Sequence, residues 1–267
     1  MALNMTTPIL KVTGLTMDFG GIRALNQLDL EVSSGEIVAL IGPNGAGKTT
    51  FFNCVTGIYL PTAGDVLLTP PGSDKSISLK GLKPNTVTEK GLARTFQNIR
   101  LFSKMTVLEN VMIGRHCRTH SFIFGAIFRT AATKREEKEI LETSYGLLEK
   151  VGLDHLANEF ANNLSYGAQR RLEIARALAT EPLLLLLDEP AAGMNPQETM
   201  DLEDLIKRIT AEGQAILLIE HDMKLIMSLS DRIYVMDYGK KIAEGVPAEI
   251  RSNPEVIKAY LGEDVDA

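Results

Sequence analysis

Five apolar residues, Ile37 to Ile41, run without interruption into Gly42-Pro43-Asn44-Gly45-Ala46-Gly47-Lys48-Thr49-Thr50. An apolar run of this length bounded by glycine reads as a buried strand, and the residues after it read as a glycine-rich turn that opens a helix. Glycines at 42, 45 and 47 let the backbone curl until its N–H groups point inward at an anion, and the new helix adds its positive end. From there Lys48 can reach the β- and γ-phosphates of a nucleotide, and Thr49 can place its hydroxyl on a magnesium ion. Gly42, Pro43, Asn44, Gly45, Ala46, Gly47, Lys48, Thr49 and Thr50 are therefore the candidate nucleotide-binding residues.

Two further apolar runs, Leu183–Leu187 and Ala215–Ile219, end in Asp188-Glu189 and Glu220-His221-Asp222. Continuous apolar strands of this kind belong to parallel sheets, and ligands gather at the carboxyl ends of such strands. The loop and these polar ends are expected to converge on one nucleotide. An acid closing a strand supplies a second magnesium contact in phosphate-loop NTPases, which assigns Asp188 to the metal. Glu189, one residue on and facing the other way, can hold and polarise the attacking water. His221 can hydrogen-bond a γ-phosphate oxygen. The other histidines, His116, His120 and His155, read as surface or packing residues.

The 267 residues are 45% hydrophobic and 23% charged, an ordinary globular balance, and the net charge of −6 argues against a chain that coats nucleic acid. Cys54 and Cys117 have no metal or disulfide spacing. Neither a signal peptide nor a membrane span is expected, because Met1 to Pro8 has no apolar core and the longest apolar runs fall far short of ~20 residues. Any membrane role must come through a partner.

Ile9–Phe19 and Ile22–Val32 read as strands around Gly20-Gly21, the second half-exposed. Asp65–Leu68 reads as a short strand, residues 69–86 as an exposed loop insertion and Thr88–Ala93 as a short helix capped by Thr86 or Thr88; Thr95-Phe96-Gln97 is extended. From Asn98 to Asn163 the pattern turns helical, with Phe122–Phe128 as an apolar stretch suited to core packing or a partner contact. A helix from Ser165 to about Thr180 buries Ala168, Leu172, Ala175 and Ala179, with Arg170, Arg171 and Arg176 off that stripe. Asn195-Pro196-Gln197-Glu198 carries a helix start, with an Asn cap, Pro at the first position and Glu three residues after the cap. Arg232–Asp237 and Lys240–Gly245 form a hairpin, and Pro254–Tyr260 a closing helix.

From about Leu10 to Leu261 the chain resembles the ATP-binding-cassette (ABC) ATPases. Their LSGGQ signature is similar to Leu164-Ser165-Tyr166-Gly167-Ala168, where Tyr166 replaces the first glycine and Ala168 the glutamine. The resemblance implies that Ser165 and Gly167 contact nucleotide, that Gln97 contacts magnesium and senses the γ-phosphate, and that Phe19 stacks on adenine. It implies an α/β phosphate-loop NTPase fold with a mostly parallel core sheet, an antiparallel β part and an inserted helical part. The domain would be one cassette over 1–267, with the core at 8–97 and 164–250, the helical part at 98–163 and a C-terminal helix and tail at 251–267. A ~15-residue helix spans ~22 Å and a five-residue strand returns ~17 Å, so geometry leaves open whether Ser165 serves its own site. In the family two cassettes pack head to tail, each ATP lying between one loop and the other signature.

Gly91 to Phe102, Leu108 to His116, Glu220 to Lys224 and Tyr260 to Glu263 are similar to the ATPase of branched-chain amino-acid importers. This implies ATP and Mg²⁺ as ligands, membrane permease subunits and a second ATPase subunit as partners, and a solute-binding protein acting indirectly. No nucleic acid is expected. The implied location is peripheral, on the cytoplasmic side of the membrane through the permease. Another transport system, such as lipopolysaccharide export, or a non-transport ABC role are the alternatives.

Lys48→Ala removes a charge from a site that must neutralise several phosphate charges, where each charge-assisted bond contributes roughly 1.5–3 kcal/mol. Its ATP affinity, measured by equilibrium titration of the folded variant, is expected to fall on the order of tenfold to a hundredfold.

Overall fold

The computed structural model describes residues 8–118 and 131–261. β1 (Leu10–Phe19) and β2 (Ile22–Val32) form an antiparallel hairpin around Gly20-Gly21, with Leu28, Leu30 and Val32 of β2 turned inward. β3 (Ile37–Ile41) runs through the glycine-rich loop into α1 (Lys48–Val55), and β4 (Ala63–Leu68) returns to pair with β1. The two-residue β5 (Ile77–Ser78) completes an antiparallel sheet in the order β2-β1-β4-β5.

Residues 83–94 depart from the sequence expectation. Pro84, whose fixed φ suits a first helical position, starts α2 (Pro84–Glu89), so Thr86 and Thr88 lie within the helix instead of capping it. Leu92–Arg94 is not helical but forms β6, since it pairs in parallel with Leu184–Leu186 of β7 (Leu184–Asp188). A three-residue segment shows no period of its own, and the neighbouring strand decides its conformation. The stretch 69–86 is likewise not all loop, because it holds β5 and the start of α2.

The described residues then continue as α3 (Val107–Arg115), α4 (Ala131–Val151) and α5 (Tyr166–Leu178), with short 3-10 turns between. The apolar stretch Phe122–Phe128 and His120 lie outside the described residues. Beyond β7 come α6 (Pro196–Ala211), β8 (Ala215–Ile219), α7 (Met223–Leu229), β9 (Arg232–Asp237), β10 (Lys240–Gly245), α8 (Pro247–Arg251) and α9 (Pro254–Leu261). Asn195 caps α6 through a reciprocal box with Glu198, as its sequence predicts. The short helices α7 and α8 carry too few turns to show in the sequence; Asp222 caps α7 by accepting the Lys224 and Leu225 N–H groups.

The second sheet has the order β10-β9-β3-β8-β7-β6, parallel from β9 to β6 and antiparallel only at the β9/β10 hairpin. Every residue of β3, β7 and β8 is buried. Ile37, Ala39, Ile41, Leu185, Leu187, Ile216 and Leu218 enter a core shared with α3 to α7. Their alternates Val38, Leu40, Leu184, Leu186, Leu217 and Ile219 enter a core shared with α1 and the antiparallel sheet. With both faces covered, only the strand ends reach solvent, and β3, β7 and β8 end side by side, with Leu40 and Asp188 both opposite Ile219.

The sequence places Arg170 off the buried stripe of α5, yet it is completely buried, because Glu173 and two backbone carbonyls receive its guanidinium. Cys54 is buried and Cys117 half-buried, both as free thiols.

Candidate active site

At the end of β3 the chain turns through Gly42, Gly45 and Gly47, all with positive φ. A Cβ at Gly42 would overlap the Met236 carbonyl of β9, and one at Gly47 would sit 2.6 Å from the Ala24 carbonyl of β2. The loop is wedged between the two sheets, which only glycine permits at these positions. Gly47 caps α1 without a side-chain acceptor, so the first N–H groups of that helix are available to an anion. Lys48 is buried and donates through Nζ to the carbonyls of Gly42 (2.7 Å) and Pro43 (2.9 Å). Burial lowers its pKa, and the charge of Glu189 opposes that effect. Asn44, Gly45 and Thr49 are exposed, Pro43 and Thr50 half-buried, and Ala46 turns its methyl into the core.

Asp188 closes β7 in an ion pair: its Oδ2 accepts from Arg94 Nη2 at 2.6 Å, and both side chains are 7% exposed. Arg94 also donates to Asn53 Oδ1 of α1 at 2.7 Å and lies between the rings of Phe52 and Phe96. Glu189, at φ 47°, turns its carboxylate away from Asp188's partners. Gln97 Nε2 donates to Glu189 Oε2 at 2.6 Å, and His221 Nε2 lies 2.7 Å from Oε1. Residues that follow β6, β7 and β8 thus meet at one carboxylate.

The turn carrying Glu189 is fastened from beneath. The Glu189 N–H donates to the Ile219 carbonyl at 2.9 Å, and the buried Glu220 accepts the Ala191 N–H at 2.7 Å and the His221 N–H at 3.0 Å. Burial raises the pKa of Glu220, partly offset by these N–H groups. Arg94 does not stand out as a site residue in the sequence, and Glu220 does so only as one of the polar residues that close an apolar run, with no role of its own. The available signal is a charge inside an apolar setting, at the end of β6 for Arg94 and of β8 for Glu220.

Ser165 caps α5, its Oγ accepting the Ala168 N–H at 3.3 Å. A Cβ on Gly167 would meet the Glu198 carboxylate, and Tyr166 packs beside Gly193. Phe19 is exposed at the tip of the β1–β2 hairpin and meets the Tyr59 ring edge-on at 5.3 Å. Among the described residues, no hydrogen bond joins Ser165, Gly167 or Phe19 to Lys48, Asp188, Glu189 or His221. A cavity of about 880 Å³ lies on the other side of the loop, between Pro43–Ala46 and Glu255 and Lys258 of α9, away from these groups.

No cluster of three or more His, Cys, Asp or Glu suited to a metal occurs among the described residues. The donors at hand are the Thr49 hydroxyl, the Asp188 oxygen not given to Arg94 and the Gln97 amide oxygen, the other end of that amide being given to Glu189. Such a sparse, all-oxygen set fits Mg²⁺, which keeps most of its ligands as water and phosphate.

The family profile described as "ABC transporter" matches residues 25–192, and one described as "Branched-chain amino acid ATP-binding cassette transporter" matches residues 240–266. The high-affinity branched-chain amino acid transport ATP-binding proteins LivG of Escherichia coli K12 and BraF of Pseudomonas aeruginosa are each 50% identical over 260 residues, 97% of this chain and 100% of theirs. The ADP conformation of MJ1267, an ATP-binding cassette of an ABC transporter, superposes with a TM-score of 0.82 at 33% identity, over 97% of this chain and 100% of that one.

The chain belongs to the ABC transporter family. Its cassette segment, 25–192, contains the loop, Gln97, Ser165, Gly167, Asp188 and Glu189; His221 falls between the two matched segments. No helix among the described residues is long and apolar enough to cross a membrane.

The raised pKa of Glu220 has a consequence for stability. Between the ordinary value of 4.5 and its native value the folded chain holds a proton that the unfolded chain has lost, so this group's contribution is full below 4.5 and is lost as pH rises through the native pKa. Glu220→Gln cannot titrate, and its melting temperature is expected to fall less steeply than that of the wild type as pH rises from 4.5, in thermal melts at stepped pH.

Proposed function

We propose that this chain is the ATP-hydrolysing subunit of a membrane importer for branched-chain amino acids. The observation that carries the catalytic reading is the Glu189 carboxylate held between Gln97 and His221 at the end of the parallel strands. LivG and BraF, half identical over nearly the whole chain, support the solute class. ABC cassettes of this kind are ATPases coupled to transport and work with membrane permease components.

In this reading the loop N–H groups and the α1 N-terminus receive the phosphates, and Lys48 exchanges the Gly42 and Pro43 carbonyls for β- and γ-phosphate oxygens. Phe19 stacks on the base. Thr49, Asp188 and Gln97 would hold Mg²⁺, which would neutralise charge on the phosphates. Glu189 orients a water and accepts its proton as the oxygen attacks the γ-phosphorus and the bond to the ADP oxygen breaks. His221 Nε2 faces Glu189 here and would turn its N–H to a γ-phosphate oxygen when nucleotide is bound. An amide and an imidazole orient Glu189 without supplying the fixed cation that Asp188 has in Arg94. Ser165 and Gly167 serve the nucleotide of a second cassette packed head to tail.

The permease contact is assigned to Asn98–Ile113, on the cytoplasmic face of the membrane, with the solute-binding protein acting on the far side. Phe102 is 48% exposed there and Met105 is half-buried. The buried Asn110 grips the Phe102 N–H (2.9 Å) and carbonyl (3.1 Å), presenting the ring beside a groove of about 480 Å³ lined by Arg100, Ile113 and Arg176.

Glu189→Gln keeps the shape and the hydrogen bonds but removes the base, so ATP binding is expected to survive while turnover falls at least roughly a hundredfold. The variant should accumulate as an ATP-bound dimer on size exclusion, and normal turnover from a monomer would overturn the assignment. Phe102→Ala is expected to leave ATP binding and the melting temperature of the isolated subunit near wild type while weakening capture by the permease about tenfold, as loss of an exposed aromatic anchor does. Full capture together with a lowered melting temperature would place the contact elsewhere.

A further inference from the structure

Arg170 and Glu173 lie three residues apart on one face of α5, with side chains 0% and 1% exposed, joined by an ion pair of 2.9 Å. Taking two charges out of water is compensated only when geometry and further hydrogen bonds are good, and apolar residues of equal volume often serve stability as well. What apolar residues cannot do is hold backbone groups. Arg170 donates through Nη1 to the Phe96 carbonyl (2.6 Å) and through Nη2 to the Gln97 carbonyl (2.8 Å), while Glu173 Oε1 accepts from the N–H groups of Phe96 and Arg100 (both 3.4 Å). Residues 96–100 lie in neither helix nor strand, so these peptide groups have no ladder of their own and need outside partners.

The same segment is fixed at its other end. Arg94, two residues before Phe96, is bonded to Asp188 and Asn53, and the Phe96 ring lies between the guanidinium groups of Arg94 and Arg100. Gln97 therefore stands between an anchor on the strand ends and an anchor on the helix that Ser165 caps, and from there its amide reaches Glu189.

We infer that Arg170 and Glu173 are positioning residues that make Gln97 move with α5, so that a displacement of the Ser165 helix sets the hold of Gln97 on Glu189. This rests on the reading of Gln97 and Glu189 proposed above. A helix that engages a nucleotide through its N-terminal Ser165 then adjusts the water-orienting carboxylate of its own subunit through a chain of buried hydrogen bonds, with no contact between Ser165 and that carboxylate.

The test is a cycle in the full-length chain with Arg170→Met/Glu173→Leu, Gln97→Ala and all three together, following kcat, KM for ATP and melting temperature. The double variant is expected to lower kcat about tenfold, a coupling typical of residues in one hydrogen-bond network, with KM nearly unchanged. The triple variant should turn over no more slowly than Gln97→Ala alone. A purely structural pair would lower the melting temperature and multiply its effect with that of Gln97→Ala, which overturns the inference, as does wild-type kcat in the double variant. Glu173→Gln, which keeps the volume, covers the case in which the double variant fails to fold: it should lower kcat in the wild-type background and not in Gln97→Ala, and unchanged kcat overturns the inference. Wild-type turnover in Gln97→Ala would overturn the reading of Gln97 and the inference together, whereas an impaired Gln97→Ala beside an unimpaired double variant overturns the inference alone.

Discussion

Successive apolar side chains of β3, β7 and β8 enter opposite cores, and every residue of these strands is buried. A one-residue slip of such a strand exchanges one apolar side chain for another, so burial alone does not determine its register. The ends do. Gly42 must lie where β9 presents the Met236 carbonyl, and Asp188 must emerge where Arg94 can meet its charge. Glu220 must reach the N–H groups of Ala191 and His221. The residues that align the sheet are thus the residues that build the site or lie directly beneath it, and the chemistry is confined to one edge because the rest of each strand has no polar surface to offer.

Three adjacent carboxyl groups at that edge are accommodated in three ways. Asp188 has a fixed cation in Arg94, Glu220 has backbone N–H groups together with a pKa raised by burial, and Glu189 has an amide and an imidazole. The differences match the tasks each position can perform. In the proposed mechanism the carboxylate tied to arginine gives its other oxygen to the cation, the buried one braces the turn, and the one held by an amide and an imidazole orients the water. Glu189 reaches its place only through a left-handed backbone conformation, which costs a residue with a side chain of order 1–3 kcal/mol and is held by the Ile219 and Glu220 contacts below it.

Much of this was legible in the residues. The loop, the polar strand ends, the Asn195–Glu198 cap and the β9–β10 hairpin carry short-range signals, because glycine at positive φ, caps and apolar runs act over a few residues. The roles assigned to Phe19, Ser165 and Gly167 came from family resemblance, and the geometry of the chain adds no contact of theirs to Glu189. What the pattern misassigned depends on distant partners: β6 is a strand because β7 lies beside it, and Arg170 is buried because Phe96 and Gln97, more than seventy positions earlier, offer carbonyls. A period of 3.6 residues puts an arginine on a face of the helix. It does not say what that face meets.

The loop itself belongs to neither sheet alone. Ala24 of β2 lies against Gly47, Met236 of β9 against Gly42, and the Gly239 N–H of the hairpin turn donates to the Ala46 carbonyl at 3.0 Å. On the far side Tyr260 of α9 meets the Gly42 backbone, a contact that partly offsets the desolvation raising its pKa. Four segments from both ends of the sequence therefore define where the loop N–H groups stand, and a nucleotide that draws on those groups draws on all four. A loop fixed in this way cannot adjust freely to its ligand. The irregular segment around Gln97 is held differently, its backbone bonded to side chains of another element instead of to its own secondary structure, and in the inference drawn above this is the part of the site that adjusts.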